Sequence, residues 1–165
     1  MIRPAVPSDW PAIHAVETAA FGRPDEADLV DSLRADGDAL VELVADEAGT
    51  VVGHILFSPL ATDTGAAFVA LAPVAIRPDR QKDGLGGALI LAGLEACREL
   101  RLAAVILLGH PSYYPRFGFS AEAALKVAAP FKGRSFMGLA LTPGALNAPV
   151  AITYAKAFGL ETPLP

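Results

Sequence analysis

One cysteine, Cys97, in 165 residues leaves no partner for an internal disulfide and excludes a metal site built from clustered thiolates. No apolar run reaches the roughly eighteen residues that a membrane-spanning helix needs. The opening MIRPAVPSDW lacks the apolar core of a secretory signal, so a cytoplasmic chain is expected. Basic residues are scarce as well. Thirteen Lys and Arg against eighteen Asp and Glu, a formal charge of -5, are too few and too dispersed to coat nucleic-acid phosphates. Repeats and low-complexity tracts are missing too, which leaves a small-molecule or protein partner as the expectation.

What the chain does have is apolar mass. A hydrophobic fraction of 53% over 165 residues is enough for one domain, residues 1–165, with a real core. IRPAV reads as a short first strand, and Asp9 to Phe21 has helical spacing, with Ile13, Val16 and Ala20 on one face. Asp25 to Ala35 continues as a second helix. LVELVADEAGTVVGHILFSPL reads as two strands about a Glu-Ala-Gly turn, Ala67 to Ile76 as a third long strand, ALILAGLEACREL as the main helix and AAVILLG as a buried strand. FMGLAL and VAITYAKAF supply further strands. The order is mixed α/β, with at least one strand-helix-strand crossover.

The main helix begins against propensity. Residues 80 to 87 read RQKDGLGG, although each glycine costs a helix up to about 1 kcal/mol. A helix start carries unpaired backbone N–H groups and about half a positive charge, and glycine leaves room for a phosphate to reach that backbone. A pyrophosphate cradle and a ligand-free strand-to-helix loop both stand at this point. Two other glycine motifs do not. A P-loop needs Gly-Lys-Ser/Thr, and here Gly86-Gly87-Ala88 follows. A dinucleotide fingerprint begins at the strand end and needs a third glycine, but the strand ends near Ile76 and Leu89 fills that place.

Gln81-Lys82-Asp83-Gly84-Leu85-Gly86 resembles the Q/R-x-x-G-x-G/A loop of the Gcn5-related N-acetyltransferases, and Tyr114-x-x-x-Gly118-Phe119 in HPSYYPRFGF resembles the family's Y-x-x-x-G-F segment. APVAIRPDRQ, YYPRFGF and FMGLALTPGAL resemble the YhbS-like branch of predicted acetyltransferases. The resemblance implies an α/β fold with a central, mostly antiparallel mixed sheet, splayed at the acetyl-CoA site and flanked by helices on both faces. It implies that Gln81, Lys82, Asp83, Gly84, Leu85, Gly86 and Gly87 hold the pyrophosphate of acetyl-coenzyme A. Val74, Ala75 and Ile76 would lie along pantetheine, with the Val74 N–H near the thioester carbonyl. Pro73, inside the apolar FVALAPVAI, removes a ladder donor and agrees with a strand that separates from a neighbour.

The implied activity is acetyl transfer to a primary amine by direct attack in a ternary complex, with no metal. It needs a neutral amine, an oxyanion donor and a proton for the departing thiolate. Tyr114 occupies the family's position for that acid, since a phenol with pKa near 10 stays protonated; Tyr113 beside it reads as packing. The base is open between His54, on the strand VVGHILF, and His110, after the strand ending in Leu108. Glu17 and Glu26 lie on the helices that flank the family's substrate side, where a solvated helix face is the commoner explanation. Cys97 reads as core.

Asp83 departs from the family pattern, because a carboxylate beside a pyrophosphate repels it. Asp83 is expected to face solvent or cap the helix, with Arg77, Arg80 and Lys82 supplying local positive charge. A non-catalytic acyl-CoA-binding or regulatory domain is the alternative reading. The expected acceptor is a small-molecule or a protein amine, and the expected assembly a monomer or a homodimer.

Overall fold

The computed structural model describes residues 1–160. Two compact units make up the chain, one of residues Met1–Ser58 with Ala72–Cys97, the other of Pro59–Leu71 with the chain from Arg98 onward. Two long strands pass from one unit to the other.

In the first unit, β1 (Ile2–Pro4), β2 (Val41–Glu47) and β3 (Thr50–Thr62, as far as Ser58) form an antiparallel sheet. The β2–β3 turn is Ala48-Gly49 with φ of 51° and 89°, the positive values that a two-residue hairpin turn favours. Gly49 N–H donates to Asp46 Oδ1 at 2.8 Å. Helix α1 (Trp10–Phe21) buries Ile13, Val16 and Glu17 and stops at Gly22, whose φ of 71° lets its N–H reach Thr18 O at 2.9 Å. Helix α2 (Asp25–Ala35) has Asp25, Glu26 and Asp28 in its first turn and Arg34 in its last, charges that complement its dipole, and buries Ala27, Val30 and Leu33.

Consecutive residues of β3 face opposite ways. His54 meets Glu17 of α1, while Gly53 lies under Leu89 of α3 (Leu85–Glu99), where an added Cβ would be 3.0 Å from Leu89 Cδ1. Helices therefore cover both faces of this strand. Further along, α3 approaches so closely at Gly93 that an added Cβ would lie 2.3 Å from Phe57 Cε1. Glycine there is a packing requirement, although it weakens the helix.

In the second unit, β4 (Phe68–Ile76, as far as Leu71) runs parallel to β5 (Ala104–Leu108), and β5 runs antiparallel to β7 (Phe136–Ala140). The sheet is mixed, and the parallel pair flanks the α3 crossover in sequence, as expected. β6 (Val127–Ala128), too short to be read from sequence, pairs with β8 (Val150–Thr153) in parallel, and β8 pairs with Ala61 and Thr62. The expected strand VAITYAKAF is shorter than it reads, since Lys156–Phe158 turns as a short 3-10 helix. Phe68, Ile106, Phe136 and Ile152 lead this unit's core.

The β4–β5 register covers Phe68–Ala70 against Ala104–Ile106, and β5 then continues to Leu108 paired with β7. The other half of β4, Ala72–Ile76, belongs to the first unit. Pro73 stands at the start of that half, after the cis Ala72–Pro73 bond, where it donates no N–H to a ladder.

Candidate active site

Beyond Ile76 the chain makes one 3-10 turn, Pro78–Arg80, and then an exposed loop into α3. Gln81 ties that loop back to the strand, its Nε2 donating to Ile76 O at 3.0 Å. Lys82 and Gly84 have φ of 69° and 83°. Left-handed backbone at a residue with a side chain costs of order 1–3 kcal/mol and concentrates at ligand clamps. The Gly84 carbonyl accepts the Ala88 N–H at 3.0 Å, so α3 starts at once and the N–H groups of its first turn have no intrahelical acceptor. An added Cβ at Gly84 would meet nothing within 4 Å. Bare amides, open space and the positive end of a fifteen-residue helix suit an anion.

The loop's charges differ from expectation. Arg77 is engaged by Asp79, Nε to Oδ1 at 2.6 Å, and Arg80 bonds to Glu47 and, at 3.2 Å, to Asp83. Neither arginine is a spare cation. Lys82 alone among the loop's basic side chains has no ion pair among the described residues. Asp83 faces solvent as expected, its side chain 54% exposed, and its pairing with Arg80 offsets the carboxylate that would repel a phosphate. Val74 and Ile76 are half-buried and Ala75 is buried on the half of β4 that leads into this loop.

In the second unit, β5 ends at Leu108, Gly109 and the exposed His110 follow, and Tyr114–Phe117 forms a short 3-10 turn. The His110 carbonyl accepts the N–H of Tyr113 at 3.1 Å and of Tyr114 at 3.3 Å. The half-buried Tyr114 ring stands edge-on to Tyr113 at 5.1 Å and to the buried Phe119 at 6.1 Å. It rests on Gly109, where an added Cβ would lie 2.3 Å from Tyr114 Cε2. Burial, and then Tyr113, push the Tyr114 hydroxyl above the ordinary phenol range. It is a proton donor, not an anion, at neutral pH. Gly118, with φ of 99°, turns the chain so that Phe119 enters the core.

His54 and Glu17 come together, and both are 0% exposed. This corrects the expectation of a solvated helix face at Glu17, and it encloses His54, one of the two histidines between which the base was open. His54 Nδ1 lies 2.7 Å from Glu17 Oε2 and its Nε2 2.7 Å from Glu42 Oε2. Glu42 in turn accepts from Arg34, Nη2 to Oε2 at 2.6 Å. Glu26 is held by Arg23 at 2.8 Å, which lowers its carboxyl below the usual range. Sequence reasoning missed Glu42, Arg34 and Gly109. The charge at Glu42 inside apolar VELVADE was a signal, and so was a glycine closing the apolar AAVILLG. His14, Asp28 and Asp31 bring potential metal ligands within 4.8 Å of one another. His14 Nδ1 at 2.9 Å and Arg34 Nη1 at 3.3 Å already engage Asp31.

Comparison with known proteins bears on these features together. Over 125 residues the chain is 38% identical to "Uncharacterized N-acetyltransferase YhbS" of Escherichia coli, covering 74% of this chain and 75% of the relative. Over 118 residues it is 46% identical to "Uncharacterized N-acetyltransferase YjhQ" of the same species, covering 68% and 65%. The crystal structure of Escherichia coli YhbS in complex with CoA superposes with a TM-score of 0.88 at 33% identity, covering 99% of this chain and 93% of that one. A GNAT family acetyltransferase from Brucella melitensis in complex with acetyl-CoA superposes with a TM-score of 0.81 at 36% identity, covering 96% and 97%. The sequence model of the acetyltransferase (GNAT) family matches residues 10–119, a stretch holding both the glycine loop and the Tyr114 segment, and the chain belongs to that family.

Proposed function

We propose that this protein, acting as a single domain over residues 1–165, is an acetyl-CoA-dependent N-acetyltransferase that moves the acetyl group to a primary amine by direct attack. The observation that carries the reading is the loop Gln81–Gly87. Two left-handed residues and the bare amides of Leu85, Gly86 and Gly87 open a helix with clear space above Gly84, in a chain whose similar structures hold CoA and acetyl-CoA. Acetyl-CoA supplies the activated acyl group as a thioester.

The chain's own groups then have roles. The amides of Gly84 to Gly87 bind pyrophosphate oxygens, with Gln81 shaping the loop, Lys82 adding charge and Asp83 kept neutralised by Arg80. Val74, Ala75 and Ile76 present strand backbone to pantetheine, and the Val74 N–H donates to the acyl oxygen as charge develops. Tyr114 donates its hydroxyl proton to the departing sulfur, which burial keeps it able to do. His110 is exposed and its carbonyl anchors the Tyr114 turn, so it is the histidine free to accept the amine's proton, whereas His54 is enclosed by two carboxylates. Glu26 and the Phe21–Asp25 corner meet the amine. No helix among the described residues is long and apolar enough to cross a membrane, in keeping with a cytoplasmic enzyme working as monomer or homodimer on a small-molecule or protein amine.

The test is coenzyme A binding by calorimetry beside thiol release from acetyl-CoA across an amine panel. Tight binding with turnover that drops about 100-fold or more in Tyr114→Phe supports the reading. Binding without turnover on any amine would turn it toward an acyl-CoA-binding domain, and equal rates would remove Tyr114.

A further inference from the structure

Four elements of the first unit send charged side chains to one buried point. His54 on β3 and Glu42 on β2 share a sheet face, because the register sets Val44 opposite His54 and Leu56 opposite Glu42. Glu17 reaches down from α1 and Arg34 across from α2. The contacts are His54 Nδ1 to Glu17 Oε2 at 2.7 Å, His54 Nε2 to Glu42 Oε2 at 2.7 Å, and Arg34 to both Glu42 oxygens at 2.6 and 3.2 Å. His54 and Glu17 side chains are 0% exposed, Glu42 10% and Arg34 12%. Arg34 also stacks on Trp10 at 4.7 Å and bonds Asp31 at 3.3 Å.

The geometry counts protons. A neutral imidazole offers one N–H and one lone pair, yet both ring nitrogens stand within hydrogen-bond distance of a carboxylate oxygen. Each contact needs a hydrogen, because a lone pair set against a carboxylate oxygen repels. The trio therefore holds two hydrogens, as imidazolium between two carboxylates or as neutral ring beside a protonated Glu17. Either way it carries one proton more than a neutral histidine and two carboxylates in water near neutral pH. The count also balances charge, since one net negative on the trio faces the Arg34 guanidinium. Losing that proton would leave two buried negatives for one positive, at a site where burial already penalises charge.

We propose that this retained proton fastens α1 and α2 onto β2 and β3, making a pH-dependent clamp inside the first unit. The groups facing His54 are Glu17 from α1 and Glu42 from β2. Behind them stand Arg34 and Glu26 from α2, and Glu26, paired with Arg23, adds a like charge that helps keep the Glu17 carboxyl above its usual range. Both neighbours raise the His54 ring above its ordinary 6.5 against the desolvation that lowers it, and burial raises Glu17. A raised value means that the clamp is fully present below about pH 6.5 and is lost as pH rises through the folded value. Over that window the opening equilibrium grows tenfold per pH unit for one proton. On the acid side Glu42, lowered by His54 and Arg34 despite burial, keeps its contribution above 4.5 and loses it as pH falls through its folded value.

The experiment is amide hydrogen exchange of α1 and α2 between about pH 6.5 and 9, corrected for intrinsic exchange, in wild type and Glu17→Gln. A glutamine amide satisfies a neutral imidazole without the extra proton. Wild-type opening constants rising toward tenfold per unit, and flattening in Glu17→Gln, are expected; equal slopes in the two proteins would overturn the proposal. Should the variant fail to fold, proton release on urea unfolding of wild type, followed from about pH 6.5 to 9, decides. Net release within that window supports the clamp, and none anywhere in it sinks it. Neither readout involves coenzyme A, so loss of the acetyltransferase reading leaves this result standing.

Discussion

Replacing Gly109 with alanine should disable Tyr114 while leaving its hydroxyl in the chain. The added Cβ would stand 2.3 Å from Tyr114 Cε2, 2.7 Å from Cδ2 and 3.3 Å from Cζ, where ordinary contact begins at 3.4 Å. The backbone has little freedom to yield, since Gly109 N–H donates to Ser135 O at 2.9 Å and the His110 carbonyl holds the Tyr114 N–H at 3.3 Å. Tyr113 and Phe119 stand against the ring at 5.1 and 6.1 Å between centroids. The ring must tilt by about 1 Å, a misplacement that can cost about 100-fold in rate, equivalent to ~2.7 kcal/mol of activation free energy. Overpacking adds about 1–3 kcal/mol of lost stability. Steady-state thiol release should show kcat down about 100-fold with coenzyme A affinity by calorimetry unchanged. In a Tyr114→Phe background the same substitution should add little, because the hydroxyl it displaces is already gone. Full multiplication of the two effects, or a folded Gly109→Ala with wild-type kcat, would refute the reasoning.

Two further outcomes concern residues of the first unit. Gly84→Ala meets no atom within 4 Å but keeps φ at 83°, so the fold should lose only about 1–2 kcal/mol in urea titrations. Coenzyme A binding should weaken more than stability does, because the methyl enters the space open to phosphate; unchanged affinity would move the cradle elsewhere. Asp9, bonded by Arg3 at 2.7 and 2.9 Å and by Val6 N–H at 2.8 Å, has its carboxyl held down to about 2 from 3.8 chiefly by the Arg3 guanidinium. Its contribution is present above pH 3.8 and lost as pH falls toward 2, so wild type and Asp9→Asn should converge in denaturation midpoint on acidification. A gap that stays constant with pH would show that the pair does not stabilise the fold.

Much of the architecture was legible. Helical spacing fixed α2 at Asp25–Ala35 to the residue, and the parallel β4–β5 pair on either side of α3 follows from a strand, a helix and an apolar strand in succession. The glycine loop was legible as local structure, because the glycines that make a poor helix start also leave open space beside the first-turn amides of α3. The two-residue β6 was not, since two residues have no period, and the tail of VAITYAKAF departs from strand because pairing partners, not propensity, end β8 at Thr153.

Charge was the harder matter. Ile13 and Val16, on the face read from the spacing, are buried while Ala20 is half-buried, and Glu17 falls beside them at the next helical step, but a single chain gives no reason to bury a carboxylate. That reason comes from β2, β3 and α2, which bring Glu42, His54 and Arg34 to the same point from distant positions. The same holds at Arg77 and Arg80, which read as cations for a phosphate and are instead neutralised by Asp79, Glu47 and Asp83. Periodicity and glycine chemistry act between near neighbours in the chain, so letters alone carry them. Protonation and ion pairing depend on which side chains meet across strands and helices, and only the folded arrangement determines that.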